Sequence, residues 1–383
     1  MKTQNTPEAI WDKMVNGVFV IAEAGKNFMH TEEERPVAEY LQNAKQLVDE
    51  AIAGGADAIK FQTHRVEDEQ LNLDVTSPHF KGSDRYSWVT RNTNSTPKED
   101  FWKPLKAYCD EKGIIFMSTP MSRKAAELLD EVGVNVWKVG SGDILDFVCL
   151  DYLRNSGKPI IFSTGMSTLE EADKALAFIK EKTDKVCILH CVSKYPCPPE
   201  ELRLGTLQTY KEHFNQPIGF SDHSIGLDPD MVAVAAGATV IEKHFSMSRE
   251  LWGADHKVSM TPQELKDMVA GINEILASDE KRAEILATDY AKAALSESEK
   301  TLQEGEAVFR PLFRKALMAG QDIPAGTTIT SEMLYAMRPQ GFINGLPSEE
   351  YSNVIGKTLT QDLKRFDPIT AEALEIVKEK ELA

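Results

Sequence analysis

Residues 217–245 read PIGFSDHSIGLDPDMVAVAAGATVIEKHF, and their pattern decides the fold. Two short β-type runs, at 217–220 and 238–241, flank an alanine-rich helical run. A histidine follows each β-type run, His223 and His244. The spacing admits only a strand–helix–strand unit. Neighbouring parallel strands lie about 4.8 Å apart, so two imidazoles at adjacent strand ends can share one metal ion.

The same unit recurs outward from this stretch. Apolar runs VFVIAEAG, DAIKFQTH, GIIFMST, VWKVGSGD, PIIFSTG and KVCILHCV precede it. Helical patterns fall between them at 36–53, 98–112, 122–132, 147–155, 168–182 and 205–214. In the first, Leu41, Ala44, Val48 and Ala51 line one face, and Gly54-Gly55 ends it. A last helix starts at Thr261-Pro262-Gln263-Glu264, a capping box with proline at the first helical position. Continuous apolar strands are those buried on both faces. Eight such repeats in one run predict a TIM (β/α)8 barrel. An open doubly wound sheet is the competing topology, and no GxGxxG motif supports it.

The barrel is predicted over 1–280, a solvated, partly helical linker over 281–312 and a small domain over 313–383. The polar stretch 65–96, with His79, Phe80, Tyr86 and Trp88, is too long for a plain connector and reads as a lid or binding loop. The terminal segment 371–380 reads as helical.

Composition narrows the function. A net charge of −17 with no basic block argues against nucleic acid. An anionic ligand must therefore be drawn by local lysines. No apolar run is long enough for a bilayer, and the first residues lack a signal-peptide core. The five cysteines form no CxxC pair, which fits a reducing, cytoplasmic setting. Cys187 and Cys191 lie on a core strand and read as small apolar residues, although a zinc site with Cys197 and His190 is conceivable.

Polar residues collect at the C-terminal ends of the expected strands, the rim where barrel enzymes build their sites. They are Glu23, Lys60, Gln62, Thr119, Lys138, Ser141, Ser163, Ser193, Tyr195, Ser221, His223 and His244. Two lysines, several hydroxyls and the glycine-flanked GSG and STG turns make an anion cradle for phosphate or carboxylate. His223 and His244, near Asp222, Glu242 and Asp255, suit Mn2+, Zn2+ or Mg2+ acting as a Lewis acid on a carbonyl. Glu23 is placed to orient or deprotonate a water.

In order, IAEAG, IKFQTH, STPMS, KVGSGD, FSTGMS, LHCVSKYP, GFSDHSIG, VIEKHF and GADH resemble the sialic acid synthase family over about 17–270. FRKALMAGQDIPAG and RPQGFINGLP resemble its small antifreeze-like (SAF, β-clip) domain. The resemblance implies condensation of phosphoenolpyruvate with an N-acylated hexosamine, N-acetylmannosamine or a diacetamido sugar, to a nonulosonic acid. It implies that Lys60, Thr119, Lys138, Ser141, Ser163, Ser193 and Ser221 hold phosphoenolpyruvate. His223 and His244 would bind Mn2+, with Mg2+ and Zn2+ as alternatives. Gln62, Asp143, Tyr195 and Asp255 would contact the sugar. So would Arg338, reaching from the small domain into a partner subunit of a homodimer.

The chain departs from the family pattern at four places. Asn27-Phe28-Met29-His30 stands where Asn-His-x-Gly is usual, and Asp143 where Glu is usual. Ser193 replaces a frequent Asn, and Leu251-Trp252 precede GADH where many members have proline. All four concern the acceptor sugar more than phosphoenolpyruvate. Alternatives are a related surface-polysaccharide synthase using another aldose, and a sugar-binding module without catalysis. The second has no need of both lysines and both histidines.

Overall fold

The computed structural model describes residues 5–73, 75 and 84–374. Eight parallel strands form its centre: β1 Phe19–Gly25, β2 Ala58–Thr63, β3 Ile115–Pro120, β4 Trp137–Val139, β5 Ile160–Ser163, β6 Val186–Cys191, β7 Ile218–Asp222 and β8 Val240–His244. Their order runs β3-β2-β1-β8-β7-β6-β5-β4, so the first strand pairs with the last. β3 and β4 lie side by side at the remaining seam. A monotonic order with β1 against β8 is a closed TIM-type ring, and the open-sheet alternative is excluded.

Alternation along each strand divides the core into two layers. Phe19, Ile21, Ala58, Ile115, Met117, Ile161, Cys187, Leu189 and Val240 pack inside the ring. Their alternates face the helices, as Val20, Ile59, Phe116, Phe162, Ile188 and Ile241 do. Cys187 is thus barrel core, as its surroundings in the sequence suggested.

The N-terminal segment is not merely polar. Thr6 accepts a hydrogen bond from the Ala9 N–H, Pro7 takes the first position, and a helix runs over Pro7–Asn16. Its Ile10 and Met14 join the inner cluster at the N-terminal ends of the strands. This helix closes the end of the ring opposite the polar rim.

The long polar stretch also holds structure. Residues 66–69 form a helical turn and Arg85–Ser95 a helix capped by Asp84. His79 and Phe80 lie outside the described residues. Of the expected C-terminal helix, Ala371–Ala373 is a single tight turn, and 375–383 lie outside the described residues.

The connector is less solvated than its composition implies. Helices Asp279–Ala287 and Asp289–Ala294 pack against the helix Asp228–Ala235, and Ala291 and Ala294 are buried. Two short turns, Glu304–Ala307 and Arg310–Phe313, then lead along the polar rim.

The small domain pairs β9 Ala316–Ala319 with β10 Leu334–Met337, antiparallel. It contains a repeat, QDIPAGTTIT at 321–330 and QDLKRFDPIT at 361–370. The copies clasp each other reciprocally, Ile323 N–H to Leu363 O at 2.8 Å and Leu363 N–H to Ile323 O at 2.9 Å. Gly326 and Phe366, at matching places, both have positive φ, 79° and 73°. Phe366 therefore adopts the turn that glycine takes without steric cost.

The small domain sits over the β3–β5 side of its own barrel. Arg123 donates to Ser331 O at 2.7 Å and Leu334 O at 3.0 Å. Lys315 bonds Met121 O and Asp146, each at 2.6 Å.

Candidate active site

Alternation sorts the residues of β7 and β8. Glu242 and His244 share one face of β8 and point into the ring, while Lys243 points outward. Lys243 pairs there with Asp222 and, at 3.3 Å, with Asp230. Asp222 is thus a structural partner behind the rim and not a neighbour of the two histidines' open side.

Four charges meet inside the rim. Lys60 Nζ lies 2.6 Å from Glu23 and 3.6 Å from Glu242, and it donates to Thr119 Oγ1 at 3.1 Å. Lys138 Nζ lies 3.5 Å from Glu242 and donates to Ser163 Oγ at 2.8 Å. Ser221 Oγ donates to Glu242 at 3.1 Å, and Gln62 donates to Glu23 at 2.9 Å. Six expected residues from five strands are brought together, with Ser163 a seventh. Glu242 joins them as the shared partner of both lysines, a role that the sequence reading did not assign to it.

Burial alone would raise the Glu242 carboxyl, but Lys138 and Lys60 outweigh it and hold the pKa at about 2. The Glu23 carboxyl goes the other way. Burial raises it, the Glu242 charge adds to that, and Lys60 offsets only part. Two carboxylates in one ring are thereby pushed apart, which suits Glu23 to hold or release a proton. Burial also lowers the Lys138 ammonium.

Ser141, Gly165 and Ser193 form the next part of the rim. Ser141 Oγ accepts from the Gly165 N–H at 3.0 Å. A Cβ on Gly165 would collide with Ser193 Oγ and Ser141 Oγ, so only glycine lets those hydroxyls converge. Glu306, on the turn Glu304–Ala307, accepts from Met166 N at 2.9 Å and Ser193 N at 2.8 Å. The connector is thus pinned across the tops of β5 and β6. Cys191 lies under this cradle, its Sγ 3.5 Å from Ser141 Oγ and 3.8 Å from His223 Nδ1. It is a site residue as well as a strand residue.

The His223 and His244 rings are 5.5 Å apart between centroids. His223 Nδ1 donates to the Val192 carbonyl at 2.8 Å, so in the neutral ring Nε2 bears the lone pair. Tyr195 Oη meets that nitrogen at 2.9 Å. His244 Nδ1 is buried without a hydrogen-bond partner. Two imidazole donors, one orphaned, could hold a divalent ion between them with open positions. No cluster of three or more His, Cys, Asp or Glu arranged for a metal exists among the described residues.

The acceptor side is built from loops. Gly25 has φ +52°, and a Cβ there would lie 3.3 Å from Gln62 Nε2 and Glu23 Oε1 and 3.8 Å from Asp255. Asp255 and Gln62 thus flank Glu23. Asp143 pairs with Arg338, and with Lys315 at 3.0 Å. Arg338 comes from the small domain of the same chain, where a partner subunit's barrel had been expected to receive it. Burial would raise the Asp143 carboxyl, but Arg338 and Lys315 outweigh that and hold it at about 2.

The departures in the first loop have separate fates. Phe28 leaves the site altogether: its ring packs among Tyr40, Phe61 and Phe101, with Phe101 4.9 Å away between centroids. Asn27 ties the loop to Phe245 O at 2.8 Å. His30 and Trp252 meet through a hydrogen bond from Trp252 N to His30 O at 3.2 Å, and Arg91 stacks on Trp252 at 5.0 Å. Two of the unusual segments therefore form one patch.

Comparison with known proteins bears on the whole chain. Residues 47–283 match the NeuB family and residues 314–375 the SAF domain. N,N'-diacetyllegionaminic acid synthase of Legionella pneumophila is 32% identical over 93% of this chain and 94% of its own length. N-acetylneuraminate-9-phosphate synthase of Mus musculus is 30% identical over 93% and 92%. The crystal structure of the spore coat polysaccharide biosynthesis protein SpsE from Bacillus subtilis overlays with a TM-score of 0.75 at 31% identity, covering 94% of this chain and 95% of that one.

Proposed function

The chain belongs to the NeuB family, and from that premise we propose that it condenses phosphoenolpyruvate with an N-acylated hexosamine and water, giving a nonulosonic acid and phosphate. One observation carries this reading most: Lys60 and Lys138 converge from separate strands, sharing Glu242 as partner, with the hydroxyls of Thr119, Ser163 and Ser221 beside them. A small dianion or trianion with two anionic ends, such as phosphoenolpyruvate, suits such a cradle.

In this reading Lys60 and Thr119 take one anionic end, and Lys138, Ser141, Ser163 and Ser193 the other. C3 of phosphoenolpyruvate attacks the sugar aldehyde and forms the new C–C bond, and the aldehyde oxygen gains a proton. Water adds at C2 and gives a proton to Glu23, whose raised pKa suits that task. The C2–O bond to phosphate then breaks and C2 becomes a ketone, the C2 hydroxyl proton leaving with the phosphate, while the proton given to Glu23 balances the one taken up by the aldehyde oxygen. Mn2+, with Mg2+ or Zn2+ as alternatives, would be held by His223 and His244 and would polarise the aldehyde. Gln62, Tyr195, Asp255, Asp143 and Arg338 orient the sugar.

The reading extends to a homodimer in which two copies exchange small domains, so that Arg338 serves the partner's site. Docking within one chain and exchange between two use the same contacts. Light scattering tests the mass. No helix among the described residues is long and apolar enough to cross a membrane.

The test is phosphate release from phosphoenolpyruvate with Mn2+ and a panel of N-acyl hexosamines. Release with none of them, metal bound, refutes the reading. Likeness to the spore-coat protein favours adding neutral aldoses to the panel as a second acceptor class.

A further inference from the structure

Beside the reaction centre, at the tops of β1 and β2, lies a group of charges that this chemistry leaves unused. Lys26 follows Gly25 at the end of β1, and the residue is 8% exposed. Its ammonium lies over the Trp88 ring, 3.5 Å from the centroid, and against His64 Nε2. His64 Nδ1 meets the two Glu69 oxygens at 2.9 and 2.7 Å. A carboxylate only accepts, so Nδ1 carries the proton and Nε2 offers its lone pair to Lys26.

Lys26 is thus held by two neutral rings. Among the described residues, no carboxylate forms an ion pair with it. The other cations nearby each have one. Arg85 lies 3.7 Å from Glu69, Arg338 pairs with Asp143 and lies 3.7 Å from Glu69, and Lys315 pairs with Asp143 and Asp146. Glu69 is shared among His64, Arg85 and Arg338, and Asp143 and Asp146 are taken up by Arg338 and Lys315. A buried charge without a counter-charge is costly, and an arriving anion removes that cost. Burial pushes the Lys26 ammonium well below its ordinary range and Arg85 adds to that, although Glu69 and, more weakly, Asp255 and Glu23 pull it upward.

Position ties this cation to the acceptor and not to phosphoenolpyruvate. His64, Glu69, Arg338 and Asp143 form one continuous chain from Lys26 to two sugar-side residues. The main chain at the neighbouring Gly25 runs close against Gln62 and Asp255, the other two, where a Cβ would lie 3.3 Å and 3.8 Å from them. His64 and Trp88 fix the lysine in one pose, which lowers the entropy cost of using it.

On the basis of the synthase reading, we infer that Lys26, steadied by His64 and Trp88, is an anion subsite for the acceptor. The acceptor sugar then carries a carboxylate or a phosphate away from its aldehyde. A charge-assisted contact of this kind in a dry site gives selectivity as well as affinity.

The experiment is calorimetry on the full chain with Mn2+. The probes are N-acetylmannosamine, its 6-phosphate and the uronic acid with a carboxyl at C6. One charged sugar is expected to bind at least about tenfold tighter than the neutral parent. Which one does so separates phosphate from carboxylate. In Lys26→Met the ratio should collapse to within about twofold, and Lys26→Arg should restore part of it. Circular dichroism confirms that both variants fold. Equal binding of all three sugars, or a preference that survives in Lys26→Met, overturns the subsite. A Lys26-dependent preference without phosphate release from phosphoenolpyruvate upholds the subsite and sinks the synthase reading. Equal turnover of neutral and charged sugars does the reverse.

Discussion

Arg338→Met tests how the small domain closes the site. Arg338 is buried at the barrel rim between Asp143 and Glu69, and its backbone also bridges the two domains. The Arg338 N–H donates to Glu69 O at 2.9 Å, and Leu71 N–H donates to Arg338 O at 3.0 Å. Methionine keeps the stem and removes the charge. The magnitude follows from Asp143. Holding its carboxyl at about 2 against an ordinary 3.8 is worth roughly 2 kcal/mol, at about 1.4 kcal/mol per pH unit. Lys315 stays 3.0 Å from Asp143, so the variant keeps part of this and loses about 1–2 kcal/mol. The sign is fixed by the depressed pKa. The stabilisation is complete above the unfolded value near 3.8 and fades as pH falls towards about 2. The deficit of the variant should therefore be full at pH 7 and shrink between pH 4 and pH 2. Hydrogen exchange at the Leu71 and Arg338 amides reads the opening directly. The Michaelis constant for the sugar should rise more than kcat falls. A deficit below about 0.5 kcal/mol, or one unchanged from pH 7 to pH 2.5, refutes the argument.

Three further substitutions test the centre. His223→Ala and His244→Ala should each abolish turnover and weaken Mn2+ binding while circular dichroism stays unchanged; full activity in either removes the metal assignment. Gly165→Ala should weaken phosphoenolpyruvate binding on the order of 100-fold by calorimetry, because the added methyl meets Ser193 and Ser141. Unaltered binding would mean that phosphoenolpyruvate does not use this cradle.

The barrel was legible because buried parallel strands are continuous apolar runs and each ends at its polar residue. The rim followed from the same signal, since a strand's last residues lie on a known side of the ring. The closing helix Pro7–Asn16 was not legible. It buries only Ile10 and Met14, too few for a visible apolar stripe. Glu242 had a usable sign: in VIEKHF it shares a face with His244, so a histidine facing inward places the acid there too. Glu306 had none, standing among many acids in a segment that composition marks as solvated. The repeat at 321–330 and 361–370 was visible as a ten-residue self-match at an offset of 40, and only a search for repeats finds it.

The two halves of the site differ in what specifies them. The lysines, hydroxyls and histidines stand on strands, whose period of two decides where each side chain points. Position in the sequence then nearly determines position in space. The sugar half is set by docking. Lys26 depends on a ring from the helix Arg85–Ser95, and Asp143 on an arginine 195 residues away. Phe28 marks the limit of motif reading. It occupies a motif position, but its size and apolarity carry it into the cluster with Tyr40 and Phe101. A departure from a pattern is thus informative only once packing shows which way the side chain turned. By that criterion Asp143, Lys26 and the Trp252–His30 patch bear on the acceptor, and Phe28 bears on the barrel's outer core.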